Sequence, residues 1–171
     1  SPDLVSGLII QNANAHPTGF GPGWKDTFAY WSNPTPETEA AASVHMTLEG
    51  TRDQYLKGIP ADITARIKGE PWIEEWNVLS LPGRNEMHRA LLADYANYAA
   101  RFGAIADYFS TRQPPALMIW GRHDIYFDLA ETLSWMQALP RMEAHILDAG
   151  HFVLETHAEQ ALALMTDFIR R

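Results

Sequence analysis

Two stretches decide the fold: Ala116-Leu-Met-Ile-Trp-Gly-Arg-His-Asp124, an apolar run that ends in an acid, and Asp148-Ala-Gly-His151-Phe152, which closes a second such run. Continuous apolar runs of this length fit strands buried on both faces of a parallel sheet. Each run stops at a glycine and offers one ionisable side chain just beyond its end. An acid and a histidine in that order, on strand ends separated by a helix, are two of the three members of a nucleophile–base–acid triad. The third is not found: the sequence has no Gly-x-Ser-x-Gly, no cysteine and no other strand-to-helix nucleophile turn.

Working outward, Gln113-Pro-Pro115 introduces the strand from Ala116 to Trp120. Asp128-Leu-Ala-Glu131 has capping-box spacing for a helix of about ten residues, which Pro140 ends. A strand from Met142 to Leu147 follows and leads to His151. Thr156-His-Ala-Glu159 is a second capping box, opening a helix with Ala161, Leu162, Met165, Phe168 and Ile169 on one face. Strand, helix, strand, helix is the repeating unit of a parallel sheet.

At the other end, Leu4-Val-Ser-Gly-Leu-Ile-Ile-Gln11 reads as a further buried strand, closed by Asn12-Ala-Asn14-Ala-His16-Pro17. From Pro17 to Pro36 the chain is dense in glycine, proline and aromatics, which opens a separate lobe. Helix-compatible pieces broken at Gly50, Gly58, Gly69 and Pro71 continue it as a small helical lid. The strongest periodicity comes last, from Glu86 to Phe109, where Leu91, Tyr95, Tyr98, Phe102, Ile105 and Phe109 recur every three or four residues. The expected organisation is therefore a first core strand in residues 1–16, a helical cap in 17–112 and a second core segment in 113–171.

Bulk composition narrows the function. The chain has 171 residues, 46% hydrophobic and 20% charged, enough for one good core. Thirteen Lys and Arg against 21 Asp and Glu give a net charge of −8, so a nucleic-acid groove is not expected. No apolar run has the length of a membrane span and no signal-peptide layout opens the chain, so a soluble, cytoplasmic protein is expected. The absence of cysteine removes disulfides and thiolate metal sites. The histidines show no ligand spacing, and neither metal nor cofactor is expected.

Ligands of parallel sheets collect beyond the carboxyl ends of the strands, where Asp124 and His151 both lie. Taken singly, each also fits an ordinary loop residue. Taken together they suit catalysis, since a histidine with an ordinary pKa near 6.5 moves protons once a carboxylate orients its ring.

Strand-Gly-Arg-His-Asp124, then helix, strand and Asp-Ala-Gly-His151-Phe, resembles the acid and base segments of the α/β-hydrolase superfamily. Pro2-Asp-Leu-Val-Ser-Gly-Leu8 is similar to the strand that follows the helix of that family's nucleophile elbow. The inserted lobe lies where haloalkane dehalogenases, epoxide hydrolases and their relatives carry a cap. The resemblance implies an α/β fold, the C-terminal portion of an α/β-hydrolase sheet with three parallel strands, flanking helices and an inserted helical cap. It also implies a hydrolase acting on a small ester, epoxide or haloalkane-like substrate, with Asp124 as acid and His151 as base. The elbow and oxyanion hole are expected upstream of Ser1, with either aspartate or serine as nucleophile, and this chain alone is expected to be inactive. Within the superfamily the acid sits after one of two strands; the first offers Asn12 and Asn14, which do not ionise, so Asp124 is preferred.

Asn12 is a candidate pocket donor, and equally a side chain that closes its turn. In the resembling families cap aromatics hold a halide or protonate an epoxide oxygen, which makes Trp24, Trp31, Tyr30, Tyr95 and Tyr98 candidates for substrate binding, although such a stripe also fits plain packing. Beyond the small-molecule substrate, the expected partner is the missing N-terminal half or a second copy paired along the exposed strand edge. The alternatives are a non-catalytic binding module and one chain of a split enzyme.

Overall fold

A computed structural model describes residues 4–171. Its sheet has three parallel strands in the order β1 (Leu8–Gln11), β2 (Ala116–Gly121), β3 (Glu143–Leu147). Leu8 pairs with Ala116 and Gln11 with Ile119, while Leu117 pairs with Glu143 and Gly121 with Leu147.

Strand β2 is central, and all six of its residues are buried. Side chains alternate across a strand, so Ala116, Met118 and Trp120 share one face and Leu117 and Ile119 the other. The first set packs with Phe109, Trp135 and Leu139, from the helices before and after β2. The second packs with Leu147, Ala149, Val153 and Ala161. Each large side chain sealed here contributes about 1.5–3 kcal/mol of burial free energy, which makes β2 the spine of the core.

Between β1 and β2 the chain forms the expected helical lobe. It comprises α1 (Lys25–Ser32), α2 (Pro36–Ala42), α3 (Leu48–Leu56), α4 (Ala61–Thr64), α5 (Pro71–Leu79), α6 (Arg84–Ala99) and α7 (Phe102–Arg112). Helix α8 (Ala130–Ala138) joins β2 to β3, and α9 (Val153–Arg170) ends the chain.

Four local expectations change. The first strand begins at Leu8 rather than Leu4: Leu4 and Val5 are exposed, and β1 gains its partner only where it meets Ala116. Pro2 and Asp3, which open the segment likened to a post-elbow strand, lie outside the described residues. The single helix expected over 86–109 is two, interrupted at Ala100–Arg101, where buried Phe102 packs on Phe20 and Tyr98. Leu91, the first member of its stripe, stays exposed.

Neither capping box forms as read. Asp128 does accept from the Ala130 N–H, but Glu131 turns inward and is fully buried, held by donors on the β1 side. Helix α9 starts at Val153, ahead of Thr156, and its backbone leaves helical geometry at His157, whose Nδ1 lies 2.8 Å from the Thr156 hydroxyl.

Candidate active site

The carboxyl ends of the three strands converge on one carboxylate. After β2 the chain turns through Arg122 and His123, whose N–H groups donate to the carbonyls of Leu147 and Ala149 at 3.0 Å each. These bonds stitch the Asp124 loop to the His151 loop. Gly121 allows the approach, since a Cβ there would run into the carbonyls of Ala149 and Gly150. A Cβ at Gly150 would meet only the side chain of Ile59 in the cap, which is free to shift where the backbone at Gly121 is not.

The Asp124 side chain is then 1% exposed, with both oxygens occupied. Its Oδ1 accepts the N–H groups of Tyr126 (2.8 Å) and Phe127 (3.2 Å). Its Oδ2 accepts the Asn12 side-chain amide (2.6 Å) and meets His151 Nδ1 at 2.9 Å. Four contacts on a buried carboxylate leave it one orientation. With Nδ1 donating to Asp124, the neutral ring presents Nε2 as a base. No described residue hydrogen-bonds that nitrogen, and it is not sealed from solvent.

His151 stands 20% exposed, edge-on to Tyr126 and Phe152, at the floor of a cavity of about 520 Å³ between core and cap. Trp24, Phe127 and Leu92 give the cavity an apolar wall. His45, Asp53 and Lys57 give it a polar one. Burial holds the His45 pKa below its ordinary value, so this ring tends to stay neutral. Burial and then the charges of Asp124, Asp53 and Glu75 push the Tyr126 phenol well above its usual value.

The structure thus brings together Asp124, His151 and Asn12, with Trp24 on the cavity wall. Asn12 meets the acid rather than the cavity: it is 4% exposed, its Oδ1 accepts the Gly121 N–H at 2.9 Å, and its backbone adopts φ 38°. That left-handed conformation suits asparagine, whose short amide bonds locally.

The aromatic donors are spent elsewhere. Trp24 gives its indole N–H to the Tyr126 carbonyl (2.7 Å) and Trp31 to the Leu92 carbonyl (2.9 Å). Tyr95 donates to Asn14 Oδ1 (2.6 Å) and Tyr98 to the Asn14 carbonyl. Trp31, Tyr95 and Tyr98 lie outside the cavity lining, in a cluster in which Tyr95 stacks on Trp31 and tilts against Trp24. Tyr30 does not line the cavity either.

Two supporting residues escape sequence reasoning. Glu131 accepts from the Ala15 N–H (2.8 Å), the His16 N–H (3.1 Å) and the Thr18 hydroxyl (2.6 Å), and pairs with His16 Nδ1 (2.8 Å), which fixes the loop that carries Asn12 and Asn14. Tyr126 lines the cavity beside His151. Its only sequence signal is its place two residues after the acid. Among the described residues no group of three or more His, Asp or Glu is arranged to hold a metal ion, and no helix is long and apolar enough to cross a membrane.

Parallel strands, an acid and a histidine at their carboxyl ends, and a helical cap over both define the C-terminal architecture of an α/β hydrolase. The family model for the alpha/beta hydrolase fold matches residues 2–158, and the chain belongs to that family. An uncharacterized hydrolase of Saccharomyces cerevisiae is 24% identical over 97% of this chain and 59% of its own length. A bromoperoxidase from Bacillus anthracis superposes with a TM-score of 0.66 at 14% identity, over 97% of this chain and 58% of that one. The enol-lactonase from Burkholderia xenovorans LB400 gives 0.52 at 20%, over 99% and 58%. The chain therefore spans somewhat under three fifths of the length of these relatives.

Proposed function

We propose that this chain supplies the acid and base of a hydrolase triad, Asp124 orienting His151, and that the cavity above His151 receives a small ester, epoxide or haloalkane-like substrate. The observation that carries this reading is the 2.9 Å contact between His151 Nδ1 and a buried, four-donor carboxylate, in a histidine that lines the cavity and whose Nε2 has no hydrogen-bond partner among the described residues. In such a triad Nε2 takes the proton from a serine nucleophile, or from the water that cleaves a covalent ester formed on an aspartate.

Among the three substrate types, an ester or its cyclic form, a lactone, suits the site best. Halide capture calls for free indole N–H donors, which Trp24 and Trp31 have committed, and of the cap hydroxyls suited to epoxide opening those of Tyr95 and Tyr98 are committed, which leaves Tyr126, outside the cap, as the unbonded phenol that lines the cavity. The structural likeness to an enol-lactonase is compatible with this preference and does not carry it.

With no nucleophile turn in the sequence, the chain on its own is expected to be silent, and its working partner is the remainder of the hydrolase. Strand β1 pairs with β2 alone among the described strands, and its free edge is the place for that remainder, or for a second copy, to add a strand.

The test is turnover of p-nitrophenyl esters, lactones, epoxides and haloalkanes by the hydrolase that contains this chain, with His151→Ala and Asp124→Asn variants. Losses in kcat of about 10⁴-fold for Asp124→Asn and about 10⁴–10⁶-fold for His151→Ala are expected. Losses below tenfold in both would sink the triad reading. Turnover by the isolated 171-residue chain that His151→Ala abolishes would overturn its silence alone.

A further inference from the structure

The cavity contains one phenol whose hydroxyl the protein itself does not use. Tyr126 is fixed at three places. Its N–H donates to Asp124 Oδ1, its carbonyl accepts the Trp24 indole N–H at 2.7 Å, and its ring stands edge-on to His151 with centroids 5.1 Å apart. Backbone and ring are therefore held in register with the catalytic pair. The hydroxyl has no hydrogen-bond partner among the described residues, yet it is not sealed from solvent, and the residue lines the cavity. Tyr55, Tyr95 and Tyr98 by contrast all donate to protein acceptors.

A rigid phenol beside the base is a ready donor. Its surroundings settle what it can bind. Burial first, then the charges of Asp124, Asp53 and Glu75, raise its pKa, so it stays protonated throughout the working range. The same carboxylates oppose an anionic group, while Lys57, the cation on that wall, is engaged by Asp53 at 3.3 Å. An uncharged oxygen is the acceptor that fits.

We infer that Tyr126 is a specificity-determining residue whose hydroxyl donates to a neutral ether, carbonyl or hydroxyl oxygen on the part of the substrate lodged in the cavity. Substrates carrying that oxygen are then preferred over hydrocarbon analogues of the same shape, because only they satisfy the donor. This inference rests on the proposed hydrolase reading, since it takes the cavity above His151 as the substrate site.

The experiment uses the complete hydrolase and p-nitrophenyl esters of five-atom acyl chains in which each methylene is replaced in turn by oxygen. Each kcat/KM is divided by the ester's hydroxide-catalysed rate to remove intrinsic reactivity. One oxa isomer is expected to exceed the hydrocarbon ester by roughly tenfold or more. Tyr126→Phe keeps the ring on His151 and is expected to lower that isomer's value at least tenfold more than the hydrocarbon ester's.

The corresponding anilides, read by quenching of tryptophan fluorescence, give the same comparison as binding where turnover is slow. No preference in the wild type, a preference that survives Tyr126→Phe, or equal losses on both esters would each overturn the inference. Failure of the triad reading shows separately, as His151→Ala retaining turnover.

Discussion

Replacing Asn12 tests how the acid is held. Asn12→Ala removes the 2.6 Å donor to Asp124 Oδ2 and the acceptor of the Gly121 N–H, both inside a site where Asn12 is 4% exposed. An orphaned buried N–H costs about 1–3 kcal/mol, and a lost hydrogen bond to a charged group about 1.5–3 kcal/mol. Alanine also resists the φ of 38° that asparagine tolerates, which adds about 1 kcal/mol. Because these costs share one relaxation, the expected loss of unfolding free energy is about 3–6 kcal/mol.

Asn12→Gly removes the same bonds without the backbone strain and is expected to lose about 1 kcal/mol less. Equilibrium urea unfolding followed by fluorescence of the six tryptophans measures both variants. An Asn12→Ala loss under about 1 kcal/mol would refute the view that Asn12 clamps the acid to the end of β2. The glycine variant being the worse of the two would refute the strain argument.

Two further outcomes follow from the site. Gly121→Ala forces a methyl into the carbonyls of Ala149 and Gly150, so it should destabilise by about 1–3 kcal/mol or more and lower kcat by spreading Asp124 from His151, as urea midpoints and steady-state rates would show. Burial depresses the folded pKa of His45 and, with Arg66 nearby, that of His157, so both rings are held neutral. Below their ordinary value of 6.5 the unfolded chain binds the extra protons, and this stability, fully present above 6.5, is lost as pH falls toward the folded values. Urea midpoints measured from pH 7.5 to pH 5 should therefore fall less steeply in His45→Asn than in the wild type, and equal slopes would contradict the assignment.

What the sequence shows and hides follows the range of the interactions. Strand β2 is legible because both its faces are buried, which writes itself as an unbroken apolar run. Asp124 and His151 are legible because strand ends place residues without regard to sequence distance. Glu131 is hidden: Asp128-Leu-Ala-Glu131 satisfies a local capping rule, but the backbone N–H groups that recruit its carboxylate are 115 and 116 residues away. The indole donors are hidden for the same reason, since the carbonyls they meet lie 102 and 61 residues from Trp24 and Trp31. Periodicity carries the aromatic stripe through Phe102 and misses the break before it, where Phe102 packs on Phe20.

Asn14 takes a hydroxyl from Tyr95 and another from Tyr98, two successive contacts on α6, and it lies two residues from Asn12. Whatever swings α6 away from the core therefore drags on the strand end that grips Asp124. On the proposed triad reading α6 is the doorpost that has to keep its place, with α1 tied to it through the Trp31–Leu92 bond, while α2 to α5 hold no residue hydrogen-bonded to Asn12, Asn14 or Asp124 among the described residues. Exchanging those helices with another hydrolase's would alter what enters, while exchanging α6 as well would alter whether the acid stays aligned.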